Sequence, residues 1–432
     1  MHRRALFFLF LLAVGLGVAE SAPSGAVVYR VRVEGVISPA SAMYIARGIH
    51  QAHAQGARAL VVELDTPGGL LKSTDDITKA ILGAPLPVIV YVAPPGARAA
   101  SAGVFVVYAA HVAAMAPTTN LGAATPVAVG GEQETESQRT MLRKATEDAV
   151  AKIRTLARRR GRNAEWAERA VRQAAALPSE EAVRMNVVDL LAADVHALLA
   201  RVDGRTVEVL GTPRVLRTRG ARVVDLGMDL RERFLDLLAE PNVGLILMTV
   251  AVYGILFELN NPGAIFPGVV GAIALLLALA SFAILQVNYA GLALMALGIA
   301  LLMAELFTPG FGVLGVGGVV AFILGGILLT SNQEPYLRAS VPLVVVLGLS
   351  TGAFVLLALG AGIRAQRSRP VSGREALVGA VGVAKTDLDP QGTVLVAGED
   401  WTAEAEGPVR AGERVRVVTV KGLRLQVRKE EP

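Results

Sequence analysis

The stretches ARALVVELDTPGG (57–69) and PLPVIVYVAPPGARAASAGV (85–104) decide the fold of the first half of the chain. Each carries a short β-branched run that stops at a Gly/Pro turn, which is the signature of a buried strand rather than of a helix. Working outward, LLKSTDDITKAILGA (70–84) between them reads as an amphipathic helix. Upstream, AVVYRVRVEG (26–35) reads as a strand and SAMYIARGIHQAHAQG (41–56) as a helix. The order is βαβαβ, so an α/β domain with parallel strands is expected. A helix starting near Ser101, a short strand in HVAAMAP (111–117), a loop over 118–137 and helices over 138–160 and 164–176 extend it, the last entered through Gly161 and Asn163.

Sites in such sheets lie at the carboxyl ends of the strands. Two turns fall there: Asp65-Thr66-Pro67-Gly68-Gly69, and the segment from Gly96 to Gly103 that contains Ser101. A glycine pair permits unusual backbone angles and can aim N–H groups into a pocket, although by itself it is only a turn. Ser101, among alanines and glycine at the mouth of a helix, has an unobstructed hydroxyl and a helix dipole that favours a developing oxyanion; by itself it is a helix cap. A serine nucleophile needs a base. His111 is expected as a surface or strand-end residue. Lys144 reads from periodicity as a solvated helix lysine, and a lysine becomes a base only where burial or nearby cations disfavour its ammonium.

Beyond this domain the composition sets the class. The chain has 432 residues, 53% of them hydrophobic, and a mean hydropathy of +0.51, too apolar for a wholly soluble protein. Lys and Arg exceed Asp and Glu by 42 − 37 = 5, which calls for no nucleic acid. There is no Cys, and the five His, at 2, 50, 53, 111 and 196, have no ligand-like spacing, so no cysteine nucleophile, metal or other cofactor is expected. Residues 1–22 carry Arg3 and Arg4, an apolar run and small residues up to Ala19, which reads as a secretory signal. Over 241–363, apolar runs at 243–259, 266–287, 290–307, 312–330 and 341–363 predict about five membrane helices. Arg364, Arg367, Arg369 and Arg374 after the last run put that end in the cytoplasm, and an odd number of spans puts the N-terminal domain outside.

The membrane region repeats itself at an offset of 47: GLILM (244–248) and ELNNPGAIFPGVVG (258–271) return as GLALM (291–295) and ELFTPGFGVLGVGG (305–318). A duplicated helical hairpin is the reading, with Glu258 and Glu305 at helix ends or as functional intramembrane carboxylates. The final segment, 371–432, alternates valine-rich runs with Gly, Pro and Asp turns and predicts a small five-stranded barrel with Trp401 in its core.

Taken together, ELDTPGGLL (63–71), ARAASAGV (97–104), NLGAATPV (120–127), KATEDAVAKIRTLARRRGRNAEWAE (144–168) and LVGAVGVAKTDLDPQGTV (377–394) resemble the long form of the NfeD family of membrane-bound serine proteases. The resemblance implies a ClpP/crotonase fold for 23–230, a multi-span membrane domain and an OB-fold C-terminal barrel. It implies Ser101 as nucleophile, Lys144 as base, and an oxyanion hole from the backbone of Gly68, Gly69 and Ala102. Where related soluble ClpP proteases carry their histidine this chain has Thr125 or Pro126, so a Ser-Lys dyad is implied instead of a Ser-His-Asp triad. Lys152 departs from the polar or aromatic residue usual there. The implied partners are a peptide or membrane-protein substrate, a stomatin/prohibitin-like membrane protein, the lipid bilayer and further copies of the chain. The rival readings are an acyl-CoA enzyme, which export disfavours because CoA is cytoplasmic, and a non-catalytic membrane scaffold.

Overall fold

The computed structural model of the chain describes residues 26–126, 136–260, 263–285, 287–307, 312–331, 333, 337–367 and 377–430. The expected signal segment 1–22, the acidic stretch 128–135, and Arg369 and Arg374 lie outside these residues. The chain divides into two units at Gly352.

In the first unit the elements run β1 (Val27–Glu34), α1 (Pro39–Ala54), β2 (Ala59–Asp65), α2 (Leu71–Leu82), β3 (Val88–Val92), β4 (Arg98–Ala100), α3 (Ala102–Ala109), β5 (Val112–Met115) and β6 (Asn120–Gly122). There follow α4 (Glu136–Arg159), α5 (Ala164–Arg172), β7 (Ala176–Pro178), α6 (Ser179–Arg184), β8 (Leu190–Leu191), α7 (Val195–Val202), β9 (Thr206–Val209), β10 (Thr212–Val215), β11 (Arg222–Leu226) and α8 (Leu230–Leu238). The main sheet has the order β11-β1-β2-β3-β5-β8, and its pairs are all parallel.

Both faces of the centre of this sheet are covered, which is why β3 and β5 are continuous apolar runs, whereas β1 alternates and pairs its Arg30 and Arg32 with Asp225 of β11. Leu60, Val62 and Leu64 of β2 face one core with Val88, Val90 and Val92 of β3. Val61, Ile89 and Tyr91 face the other, which α7 closes through Leu198 and Leu199. A second, three-stranded sheet, β4-β6-β7, brings the segment before Ser101 against Asn120–Gly122. Strand β11 joins β1 across almost 200 residues of sequence: its register pairs Val28 with Val223.

After α8 come five apolar helices: α9 (Pro241–Asn260), α10 (Phe266–Leu285), α11 (Tyr289–Phe307), α12 (Val313–Leu329) and α13 (Val341–Arg367). Within α9 and α10, Pro241–Leu259 and Phe266–Leu285 are long and apolar enough to cross a membrane; the other three hold shorter apolar stretches. Residues 47 apart make matching contacts. A Cβ on Gly271 would meet the Ala251 carbonyl oxygen at 3.0 Å, and one on Gly318 the Gly298 carbonyl oxygen at 2.9 Å. Likewise Gly244 abuts Ser281 and Phe282 while Gly291 abuts Leu328 and Leu329. The glycines thus let α9 pack closely on α10, and α11 on α12, in the same way twice. Glu305 is buried and accepts from the Gly312 and Gly315 N–H groups at 3.0 and 2.9 Å. It caps α12, which gives a carboxylate among apolar helices its hydrogen-bond partners.

The second unit contains a closed barrel of β12 (Val381–Ala384), β13 (Gln391–Val396), β14 (Glu399–Ala405), β15 (Arg414–Lys421) and β16 (Arg424–Lys429), ordered β12-β13-β14-β16-β15. Val394, Val415, Leu425 and Val427 form its core. Trp401 is half-buried at the edge of that core, not at its centre.

Candidate active site

The two turns singled out in the sequence meet at the carboxyl end of the main sheet. Thr66, fully buried, links them: its N–H donates to the Arg98 carbonyl at 2.7 Å and its own carbonyl accepts from the Ala100 N–H at 3.0 Å. The Arg98 N–H also donates to Asp65 Oδ1 at 3.0 Å. Gly103, on the first turn of α3, packs so closely on Thr66 that a Cβ there would meet Thr66 Cγ2 at 2.7 Å.

Ser101 is the N-cap of α3, with φ 50° and ψ −112°, and its side chain makes no capping hydrogen bond. A non-glycine residue at that φ is uncommon and costs on the order of 1–3 kcal/mol, so the surroundings must hold it. They do so through the Ser101 N–H, which donates to the Gly122 carbonyl at 3.0 Å. Gly122 itself has no room for a side chain, since a Cβ would lie 2.3 Å from the Ala175 carbonyl oxygen. The strained turn presents the Ser101 hydroxyl ahead of the helix N-terminus, where the dipole is positive.

The glycine pair is not symmetric. The Gly68 N–H donates to Thr66 Oγ1 at 3.0 Å, and the Gly68 carbonyl accepts from Ile37 N–H at 2.8 Å. Gly69 lies against Ile37 as an isolated parallel bridge, and a Cβ on it would sit 2.3 Å from the Ile37 carbonyl oxygen. That bridge turns the Gly69 N–H away from Ile37. Among the described residues neither the Gly69 nor the Ala102 N–H has a hydrogen-bond acceptor. Gly69 and Ala102 therefore each keep a free N–H, the second on the residue next to Ser101, while Gly68 keeps its donor for the turn.

Lys144 stands on the exposed N-terminal half of α4, with no hydrogen bond or ion pair among the described residues, whereas Ala149, Val150 and Ile153 further along carry the buried face. No hydrogen bond joins its side chain to Ser101 within one chain among the described residues. Lys152, two turns on, pairs with Asp75 and lies over the Phe105 ring at 5.8 Å. Thr125 Oγ1 is buried with no partner among the described residues.

His111 is not at the surface. It is buried, its Nδ1 accepts from the Val88 N–H at 3.2 Å, and its Nε2 has no partner among the described residues. Burial, reinforced by the charges of Arg160, Arg162 and Arg159, lowers its pKa to about 3. It lies at the far end of α3 from Ser101, about 12 Å of helix away. It is not placed to serve as a base for Ser101, and its lowered pKa makes it a weak one.

The basic cluster from Arg154 to Arg162 reads from its sequence as a solvated face, but Arg162 is buried, and its guanidinium donates to the Val107 and Tyr108 carbonyls at 3.0 and 3.2 Å and to Asp189 at 2.8 Å. Arg160 adds a bond to the Ala109 carbonyl at 3.0 Å. Two cations thus hold the carboxyl end of the helix whose other end bears Ser101. Their place directly after the long helix, in the RRRGRN run, was the available signal.

Comparison with known proteins covers all three regions. The family model of the NfeD1b N-terminal domain matches residues 27–201, that of the NfeD integral membrane domain 242–360, and that of the NfeD-like C-terminal, partner-binding domain 374–429. A membrane-bound protease of Pyrococcus horikoshii is 34% identical over 414 residues, 94% of this chain and 93% of its own. The membrane protein NfeD1b of Bacillus subtilis is 29% identical over 455 residues, 99% of this chain and 98% of its own. A solved membrane protease specific for a stomatin homolog, also from Pyrococcus horikoshii, matches half of this chain (50%) and 99% of its own at 30% identity, with a TM-score of 0.44. Similarity sustained from the first strand of the α/β domain to the last of the barrel makes this chain a member of the NfeD family.

Proposed function

We infer that this chain is a membrane-bound serine endopeptidase in which Ser101 is the nucleophile, Lys144 the base, and the Gly69 and Ala102 N–H groups the oxyanion hole. The observation that carries the reading is Ser101 itself. It is a serine held at positive φ on a helix N-terminus, with a free N–H on the adjoining Ala102 and another on Gly69, in the turn that Thr66 ties to the strand before the serine. The membrane-bound protease among its relatives supports the same chemistry.

In this mechanism Ser101 Oγ attacks the scissile carbonyl while Lys144 Nζ takes the hydroxyl proton. The oxyanion that forms accepts from Gly69 and Ala102, and such a donor is worth roughly 10²–10³ in rate. The C–N bond then breaks, the leaving amine takes the proton from Lys144, and an ester remains on Ser101. Water adds to that ester with Lys144 again as base, releasing the carboxyl product and the free serine. A lysine can act so only when shielded from water. The bound substrate, or a second copy of the chain in a homo-oligomer, supplies that cover over the exposed start of α4.

The apolar helices hold the enzyme in the cell membrane, and the arginines from Arg364 onward favour a cytoplasmic barrel and an extracytoplasmic protease domain. The barrel matches a partner-binding domain, and a relative acts on a stomatin homolog. A stomatin/prohibitin-like membrane protein is accordingly its partner, and apolar segments of membrane or exported proteins are its substrates. Peptide cleavage by the full chain in lipid nanodiscs tests this: wild type should cleave, and Ser101→Ala and Lys144→Ala should not. Cleavage retained in Ser101→Ala would refute it.

A further inference from the structure

The catalytic turn and the membrane helices share one short piece of chain. Residues 35–38, between β1 and α1, hold the glycine pair on one side: the Ile37 N–H donates to the Gly68 carbonyl at 2.8 Å and the Leu70 N–H to the Ile37 carbonyl at 2.9 Å. On the other side Val36 packs against the apolar cluster of the membrane helices. That cluster includes Leu245 at the start of α9, Leu285 at the end of α10, Leu329 at the end of α12 and Val344 at the start of α13. These positions share one end of the helical bundle, so Val36 touches it at a membrane surface.

Helix α8 touches both sides of the junction. It begins with an Asp229/Glu232 capping box and packs on α1, α9 and α10. Buried Glu232 receives two bonds of 2.7 Å from Arg47 on α1. Ser38, the N-cap of α1, donates to Asp236 Oδ1 at 3.4 Å. The outer edge of α8 is apolar, with Leu230, Phe234 and Leu237 exposed by 85%, 47% and 55% at helical spacing. Leu71, directly after the glycine pair, is 61% exposed as well. Apolar groups left open beside the first membrane helix suit the lipid interface.

We propose that the Ser101 site faces the bilayer surface and cleaves a segment next to a membrane anchor in preference to a free peptide or a distant loop. This rests on the proteolytic reading above and adds where the substrate lies. The geometry supplies the selection: a scissile bond five residues from an anchor reaches at most about 18 Å. The eight-residue strand β1 alone spans about 26 Å. A site at the opposite end of the sheet would be out of reach of such a substrate.

Two measurements on the full chain in liposomes test this. The chain has no Cys, so single-cysteine variants can be labelled cleanly with a fluorophore. A probe at Leu71→Cys should be quenched at least threefold more by a headgroup-nitroxide phospholipid than one at Gln55→Cys, beyond the far end of the 16-residue α1. Equal or reversed quenching would overturn the placement. In the second, one cleavable sequence is joined to a membrane anchor through 5 or 40 flexible residues. The short spacer should be cleaved about 20-fold faster, following the −3/2 power of tether length. Faster cleavage of the long spacer would overturn the substrate class. Absence of all cleavage with the quenching pattern intact would overturn the proteolytic reading on which that class depends.

Discussion

Replacing Gly69 with alanine tests the geometry of the site at one atom. A Cβ there would lie 2.3 Å from the Ile37 carbonyl oxygen, 2.5 Å from Ile37 N and 2.7 Å from Ile37 Cα, all backbone atoms that cannot rotate away. Restoring ordinary contact requires the turn and the 35–38 segment to separate by about 1 Å, which strains the bonds between Ile37 and the Gly68 carbonyl and between Leu70 and the Ile37 carbonyl. Two such bonds at about 0.5–1.5 kcal/mol each put the stability loss at about 1–3 kcal/mol. The same shift carries the Gly69 N–H off its target, and a misplacement of that size costs about 10²-fold in rate. The assay is burst kinetics on an activated ester, with the thermal unfolding midpoint measured in parallel. Leu198→Ala, buried on the other face of the sheet, is the control: it should cost about 2–5 kcal/mol yet leave the rate per folded molecule unchanged. If Gly69→Ala loses stability but acylates at the wild-type rate, the Gly69 N–H is not an oxyanion donor.

The remaining predictions address parts of the same framework. His111, ordinarily near 6.5, falls to about 3 when folded, so below pH 6.5 the unfolded state binds the extra proton. Stability is therefore full above pH 6.5 and falls as the pH drops towards 3, by about 2 kcal/mol at pH 5; His111→Gln should remove most of that slope in pH-dependent unfolding. Arg162→Met takes from partly buried Asp189 Oδ2 its cationic partner, leaving it the Ala113 N–H alone, and removes a donor from the end of α3; it should cost about 3–5 kcal/mol in denaturant unfolding, with partial recovery in Arg162→Lys. Glu305→Ala removes the α12 cap and should destabilise the hairpin by about 0.5–2 kcal/mol without changing the acylation rate; a lost rate would give Glu305 a role in the chemistry.

The parallel sheet was legible because its central strands are unbroken β-branched runs separated by helical stretches. Strand β11 was not, since it is a partly exposed edge strand whose partner β1 lies far away in sequence, and no local pattern encodes such a pairing. The three-residue strands β4, β6 and β7 are too short to have a period. Within the site, the type of each residue was readable but its surroundings were not. The Gly-Gly pair announced an unusual turn, yet only the fold decides that Thr66 takes the Gly68 N–H and leaves that of Gly69 free. His111 looked peripheral because strand ends usually are, and the helices packed over β5 bury it. Helix α8 had a readable start in the Asp229-Leu230-Arg231-Glu232 capping box, overlooked beside the stronger apolar signal that follows it.

Activation of the Ser101 nucleophile by Lys144 can be read from covalent labelling. The most direct measurement is to treat the full chain in nanodiscs with a fluorophosphonate and map the adduct by peptide mass spectrometry. One adduct is expected, on Ser101, that disappears in Ser101→Ala and forms at least about 10²-fold more slowly in Lys144→Ala, as when a general base is lost. An adduct on another residue, or labelling of Ser101 at an unchanged rate without Lys144, would contradict it.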